Sequence, residues 1–191
     1  MAVSPLKITF RPLTPERWPD LERLFGERGA CGGCWCMTWR LSRADFEKKK
    51  GAANKRALKR LVDSGKPPGV IAYLEGQPAG WCAVAPREEY PALERSRILA
   101  RVDDQPVWSI SCFFVAKEFR HKGITVPLLE AAVKYACSKG ARTVEGYPHD
   151  LGKSKLPAPF VWTGLLPSFA KASFTEVARR TPKRPIVRRM L

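Results

Sequence analysis

Two short stretches of this sequence carry residues whose types and spacing can do chemistry. The first is "RHKGIT", Arg120 to Thr125, where a basic, glycine-containing turn leads into an amphipathic helix. The first N–H groups of a helix have no intrahelical acceptor and carry the positive end of its dipole, so they suit an anion. Gly123 frees the backbone and lets a ligand come close, and Pro127 fits a first turn that asks no donor of it. Arg120 and Lys122 add formal charge. A pyrophosphate has the shape and charge for such a cradle. The turn lacks the Gly-Lys-Ser/Thr ending of a P-loop and the three glycines of a dinucleotide fingerprint, which sets ATP and NAD aside. A purely structural turn is built from the same residues, so the stretch does not decide the matter alone.

The second is "CGGCWCMTWR", with Cys31, Cys34 and Cys36. Cys-x-x-Cys is zinc-like spacing, but a structural site wants four ligands. The two histidines, His121 and His149, stand far along the chain. A redox pair is a second reading. The favoured one is a shaped, apolar and aromatic turn, with no metal expected.

The elements that must position these residues are legible from periodicity. "LKITF" alternates Leu6, Ile8 and Phe10 against polar neighbours, a half-buried strand. Thr14 and Pro15 are the cap and first residue of a helix ending at Gly29. After the cysteine turn, Ser42 caps a second helix that runs to Gly65. Val70–Leu74 and Gly80–Ala85 form a hairpin across "EGQP". A polar connection from Arg87 to Gln105 precedes the strongest strand, "VWSISCFFV". A third helix spans Ile124 to Lys139, with Leu128, Leu129, Ala132, Val133 and Ala136 on one face. "ARTVEGY" is a short strand, "FVWTGLLPSFAKAS" is helical in part, and "FTEVARR" and "PIVRRML" close the chain as a strand pair. The expectation is an α/β fold of the α+β type: a mixed, largely antiparallel sheet with flanking helices, formed by residues 1–191 as one domain.

The 191 residues and 45% apolar content suffice for one core. No apolar run is long enough for a membrane span, and the first residues do not form a signal peptide, so a cytoplasmic protein with reduced cysteines is expected. Its monomer or homodimer state stays open. The net charge of +16 is concentrated between Arg43 and Arg60 and in the tail from Arg179. That surface favours polyanions such as a phosphorylated cofactor, RNA or the ribosome, or else is a solvated basic face.

Arg120, Gly123 and Thr125 form Arg-x-x-Gly-x-Thr, which resembles the Arg/Gln-x-x-Gly-x-Gly/Ala motif of the GCN5-related N-acetyltransferase (GNAT) superfamily. Thr125 departs from the small last residue. The resemblance runs from about Leu6 to Leu191 through element order and through the ending "SFAKASFTEVARRTPKRPIVRRML". The chain is also similar to a bacterial subgroup with a Cys-Trp-Cys-Met turn and a Glu-Gly-Tyr-Pro strand end.

The resemblance implies an acyl-CoA N-acyltransferase fold and acetyl-CoA as cofactor, leaving as coenzyme A. Acetyl would pass by direct attack of an acceptor amine on the thioester, with a small-molecule amine favoured. A protein- or ribosome-associated acetyltransferase and a non-catalytic CoA-binding module are the alternatives. By position, the Phe113 N–H would meet the thioester carbonyl, and Phe114 and Val115 would run beside the pantetheine arm. Arg120, His121, Lys122, Gly123, Ile124 and Thr125 would hold the pyrophosphate. The position where many members keep a proton-donating Tyr is Phe169, so that role does not carry over. Glu145 and Tyr147, with His149 and Asp150 behind them, are the remaining candidates for moving a proton, and packing roles compete for each. Trp35, Met37, Trp39 and Trp81 would line the acceptor pocket or, equally, fill the core. A highly cationic acceptor such as an aminoglycoside is disfavoured unless the pocket is locally acidic, for which Glu88, Glu89, Glu94, Asp103 and Asp104 are the candidates.

Overall fold

The structure is a computed structural model that describes residues 7–191; Leu6, expected in the first strand, lies outside them. Among the described residues seven strands form one sheet in the order β1-β2-β3-β4-β5-β7-β6. Strands β1 (Ile8–Pro12), β2 (Gly69–Leu74), β3 (Gln77–Pro86) and β4 (Trp108–Val115) are successive antiparallel neighbours. β5 (Thr143–Gly146) lies parallel to β4, and β7 (Pro185–Met190) runs antiparallel between β5 and β6 (Thr175–Arg179). The mixed, largely antiparallel sheet is the one expected, hairpin and closing strand pair included.

Helices cover both faces, and a short helix, α4 (Pro91–Glu94), lies in the connection from β3 to β4. Leu128, Leu129, Ala132, Val133 and Ala136 of α5 (Thr125–Ser138) pack on Val70, Ala72, Cys82, Val84 and Ile110. The other face carries α1 (Trp18–Phe25) and α3 (Ala52–Asp63) over Ile71, Trp81, Ala83 and Cys112. Among the described residues no helix is long and apolar enough to cross a membrane.

Two expected helices differ in extent. Thr14 and Pro15 open a 3-10 turn rather than α1 itself, and α1 stops at Gly26, whose φ of 63° breaks it three residues before Gly29. Ser42 does cap a helix, its hydroxyl accepting from the Asp45 N–H at 3.1 Å. That helix is only α2 (Arg43–Lys48), because Gly51 at φ 79° interrupts the chain before α3. Gly51 donates its N–H to the Gly33 carbonyl (3.0 Å), which ties the break to the cysteine turn.

The feature that builds the site is the parting of β4 from β5. The two pair only through Trp108↔Val144, Ser109↔Glu145 and Ile110↔Gly146. Opposite β3, Ala83 faces Cys112 and Val84 faces Ile110, so Ser111 is an extra residue on β4. Such a bulge bends its strand. On the other side β5 ends at Gly146, where an added Cβ would lie 2.2 Å from Cε1 of Phe169 on α6 (Leu166–Lys171). Glycine there lets the phenyl ring fill the notch in which pairing stops.

Candidate active site

Beyond Ile110 the unpaired half of β4 forms one wall of a cleft of about 970 Å³. The turn before α5 lines its second wall. Cys31, Cys34 and Thr38 of the cysteine turn, with Phe46 and Lys50, line the third, and Pro159, Val161 and Trp162 cover it. The cleft therefore connects the α5 side of β4 with the α1 side: Phe113 packs in the cluster around α5, Cys112 in the one around α1 and α3.

The turn has the open helix end expected of it. Ile124 precedes α5 with no side-chain cap, and Leu128 is the first residue of α5 to bond back, to the Ile124 carbonyl (3.0 Å). His121 and Gly123 take φ of 61° and 74°, and a Cβ on Gly123 would meet nothing within 4 Å. The space ahead of the helix amides is thus open, and a pyrophosphate fits it. Every strand and turn residue expected to hold a cofactor lines the cleft except Lys122. The Lys122 ammonium instead lies 5.3 Å over the Phe119 ring.

The strand's polar groups are not free. The Phe113 N–H, expected to be an open donor, bonds the Trp162 carbonyl at 2.6 Å. A buried amide that has lost its strand partner takes the nearest acceptor, and the segment 157–164 supplies it. The indole of Trp162 packs 5.7 Å from that of Trp39, holding the segment in place. The Val115 carbonyl accepts from Arg120 Nε (3.0 Å), so this guanidinium serves the end of the strand.

The proton-handling candidates require correction. Glu145 is 1% exposed and does not line the cleft. Arg87 Nη1 and Arg188 Nε each donate to it at 2.8 Å, and the Tyr147 hydroxyl donates at 2.7 Å. Arg87 also donates to Tyr147 (2.7 Å), to the Leu99 carbonyl (2.7 Å) and to Glu94. Burial, then the Glu145 carboxylate, push the Tyr147 phenol well above its ordinary pKa. These groups are a closed ion-pair network in the base of the sheet, not a free acid and base. Arg87, fully buried at its centre, was missed, because one Arg opening a polar connection looks like surface. His149, outside the cleft lining, accepts from Arg184 Nη1 at 2.5 Å, and Asp150 pairs with Arg179 at 2.8 Å. Phe169 is buried between Phe113 and Phe174, with ring centroids 5.9 and 5.1 Å away.

Nor do the expected acceptor-site aromatics line the cleft. Trp35 packs on Trp18 (5.9 Å) and Phe25 (5.5 Å), its ring lying where a Cβ on Gly29 would be. Trp81 is fully buried and donates its indole N–H to Cys36 Sγ (3.0 Å). Met37 is buried in the same cluster, and Trp39 lies behind Trp162. Positive φ at Trp35 (42°) and Cys36 (53°) turns these side chains inward, leaving the smaller Cys31, Cys34 and Thr38 at the cleft. The shaped apolar turn is what the structure shows. Burial, with Cys36 beside it, pushes the Cys34 thiol up to about 11, which leaves it protonated near neutrality. Among the described residues no three of His, Cys, Asp and Glu are grouped to hold a metal ion.

The basic tail is largely consumed inside the chain. Arg179 pairs with Glu176 and Asp150, Arg188 with Glu145 and Asp103, and Arg189 with Glu130. Arg180 donates to the carbonyls of Ala100 (2.8 Å) and Arg101 (3.0 Å).

A family model described as the acetyltransferase (GNAT) family matches residues 35–149. No curated protein matches the sequence closely enough to count as a relative. The fold is similar to an acetyltransferase of the GNAT family from Listeria monocytogenes (TM-score 0.59, 9% identity, 100% of this chain and 99% of that one). It is similar to a polyamine N-acetyltransferase from Drosophila melanogaster that forms N-acetylagmatine (0.59, 11%, 97% and 100%). It is also similar to the PaiA N-acetyltransferase from Thermoplasma acidophilum in complex with coenzyme A (0.53, 16%, 97% and 99%).

Proposed function

The chain belongs to the GNAT family of N-acetyltransferases, which use acetyl-CoA, and from that premise we propose that it acetylates the nitrogen of a small amine in the cleft beside β4. Acetyl-CoA supplies the activated acyl group. The observation that carries the assignment is the meeting of two main-chain surfaces across one cleft: the uncapped amides ahead of α5 and the half of β4 that β5 leaves unpaired.

The residues divide the work by position. The amides from Gly123 to Thr125 hold the pyrophosphate, with the α5 dipole behind them. The Phe113 N–H points into the parting of the strands, where a backbone donor stabilises negative charge developing on an acetyl oxygen. It becomes available when the Trp162 carbonyl moves off, so segment 157–164 shifts as the donor site fills. Alignment of amine and acyl carbon then supplies most of the rate. The Glu145 network keeps the paired half of the sheet rigid beneath this point.

Acetyl-CoA should raise the melting temperature, by the equivalent of about 2.7 kcal/mol at a hundred times its Kd. Gly123→Glu places an anion in the cradle and should abolish that rise, whereas Gly123→Ala should retain most of it. Absence of any shift at millimolar acetyl-CoA with the wild-type protein overturns the assignment. Thiol release against an amine panel then tests turnover.

A further inference from the structure

The side chains that line the cleft carry charge of one sign. Lys50, Arg120 and Lys171 line it, and among the described residues no carboxylate does. Of the five acidic residues that the sequence offers for this role, Glu88, Glu89, Glu94 and Asp103 are held elsewhere, and Asp104 is absent from the lining. Glu89 pairs with Arg40 (2.7 Å), Glu88 with Arg101 (3.0 Å), Glu94 with Arg87 and Arg101, and Asp103 with Arg188 (2.6 Å). The sole imidazole in the lining, His121, sits in the turn before α5, at the end assigned to the pyrophosphate.

The end on the α1 side differs. Its wall is Cys31, Cys34, Phe46, Cys112 and Phe114, and its single charged side chain is Lys50. The Lys50 ammonium lies 5.6 Å over the Phe46 ring and pairs with Glu47 at 2.5 Å. Both members of that pair are exposed, and an exposed pair of this kind contributes little. An ammonium has three donors, so Lys50 can meet a second anion beside Glu47.

Resting on the acetyltransferase assignment, we propose that the acceptor is an amine with an apolar or aromatic body and its own carboxylate, as in an α-amino acid, and that polycationic amines are excluded. The apolar body lies against Phe46 and Phe114, and the carboxylate answers Lys50. A polyamine or aminoglycoside would bring further ammonium groups beside Lys50 and Lys171 with no carboxylate in the lining to answer them, and like charges repel. The same field supplies something the site otherwise lacks. Glu145, Tyr147 and Phe169 offer no free base, so the amine must shed its proton to water before attack. Neighbouring cations lower the pKa of an ammonium group and enlarge the fraction of free amine. In the transfer, the amine nitrogen forms a bond to the acetyl carbon as the carbon–sulfur bond breaks. Coenzyme A leaves as the thiolate with the electron pair of the broken bond, and the proton shed by the nitrogen reaches it through solvent, giving the amide and the free thiol.

The test compares phenylalanine, phenethylamine (the same body without the carboxylate) and spermidine. Equilibrium binding of each is measured on the protein loaded with coenzyme A, and thiol release on the protein supplied with acetyl-CoA. The expected result is phenylalanine favoured over phenethylamine by about tenfold or more in binding and in kcat/KM, with spermidine below detection. Lys50→Glu should reverse the first preference while leaving acetyl-CoA affinity within about twofold. Spermidine preferred, equal response to phenylalanine and phenethylamine, or no binding of any carboxylate amine overturns the proposal. So does a Lys50→Glu protein that loses acetyl-CoA instead of acceptor preference. A wild-type protein that fails to bind acetyl-CoA would strike the underlying assignment, a different failure from any of these.

Discussion

Along β4 the segment Trp108–Ile110 is paired on both sides, whereas Ser111–Val115 has β3 on one side and the cleft on the other. The paired half carries the chemically suggestive side chains around it: Glu145 with Tyr147, Arg87 and Arg188 all bonded to it. The unpaired half is flanked by phenylalanine, valine and cysteine, and its capacity lies in its main chain. The difference teaches how partners are shared out along one strand. Charged groups that close the sheet satisfy one another, while what β5 leaves unpaired is main chain, which any residue provides.

The paired half should break most severely. Glu145→Gln removes the charge that two buried guanidinium groups share, and losing one partner of a buried pair costs about 3–5 kcal/mol. In a chain of this size that lowers the melting temperature by roughly 6–20 °C. The folded fraction should still respond to acetyl-CoA. Unchanged stability with lost turnover would instead return Glu145 to the role of base. A smaller break is available where the halves meet. Gly146→Ala drives a methyl group into the Phe169 ring, and overpacking of this kind costs about 1–3 kcal/mol. Combining it with Phe169→Leu should recover most of the loss in denaturant titrations; no recovery would mean that the strand end, not the ring, needs glycine.

The same contrast explains what was legible. Alternation and helical periodicity located every strand, the α5 face and the closing hairpin, because burial on one side writes itself into residue type. The turn from Arg120 to Thr125 was legible because glycine and an uncapped helix start are local features. The cleft lining was not. Trp35 and Trp81 have the same letters whether they face a ligand or the core, and the choice rests on positive φ at Trp35 and Cys36 and on a missing Cβ at Gly29. The Glu145 network joins residues from four distant segments, and pairing at that range leaves no trace in one sequence. The bond from the Phe113 N–H to the Trp162 carbonyl was invisible because both partners are main chain.

The unpaired half can be sharpened through Trp162. Its indole anchors the segment whose carbonyl holds the Phe113 N–H. Trp162→Ala should loosen that anchor and make the donor available more often. A hydrogen bond contributes about 1 kcal/mol net, so acetyl-CoA should bind roughly threefold to fivefold more tightly by calorimetry. Weaker binding would mean that Trp162 is part of the donor site itself rather than its competitor.

The smallest effect is expected from acid, acting on the same segment from the β5 side. His149 donates its N–H to the Gly164 carbonyl and accepts from the Leu166 N–H, both at 2.9 Å, so it ties the chain leaving β5 to the segment that covers the cleft. Its ring accepts from Arg184, and burial followed by that cation depresses its pKa to about 4. The folded protein thus prefers the neutral ring, whereas the unfolded chain takes up a proton near 6.5. The contribution is complete above pH 6.5 and is lost as pH falls from there toward 4. Melting curves of the wild type should decline more steeply over that interval than those of His149→Gln, whose side chain keeps an acceptor but does not titrate. Parallel curves would show that the ring is free of Arg184 in solution, and that the tie between β5 and the covering segment rests on the backbone bonds alone.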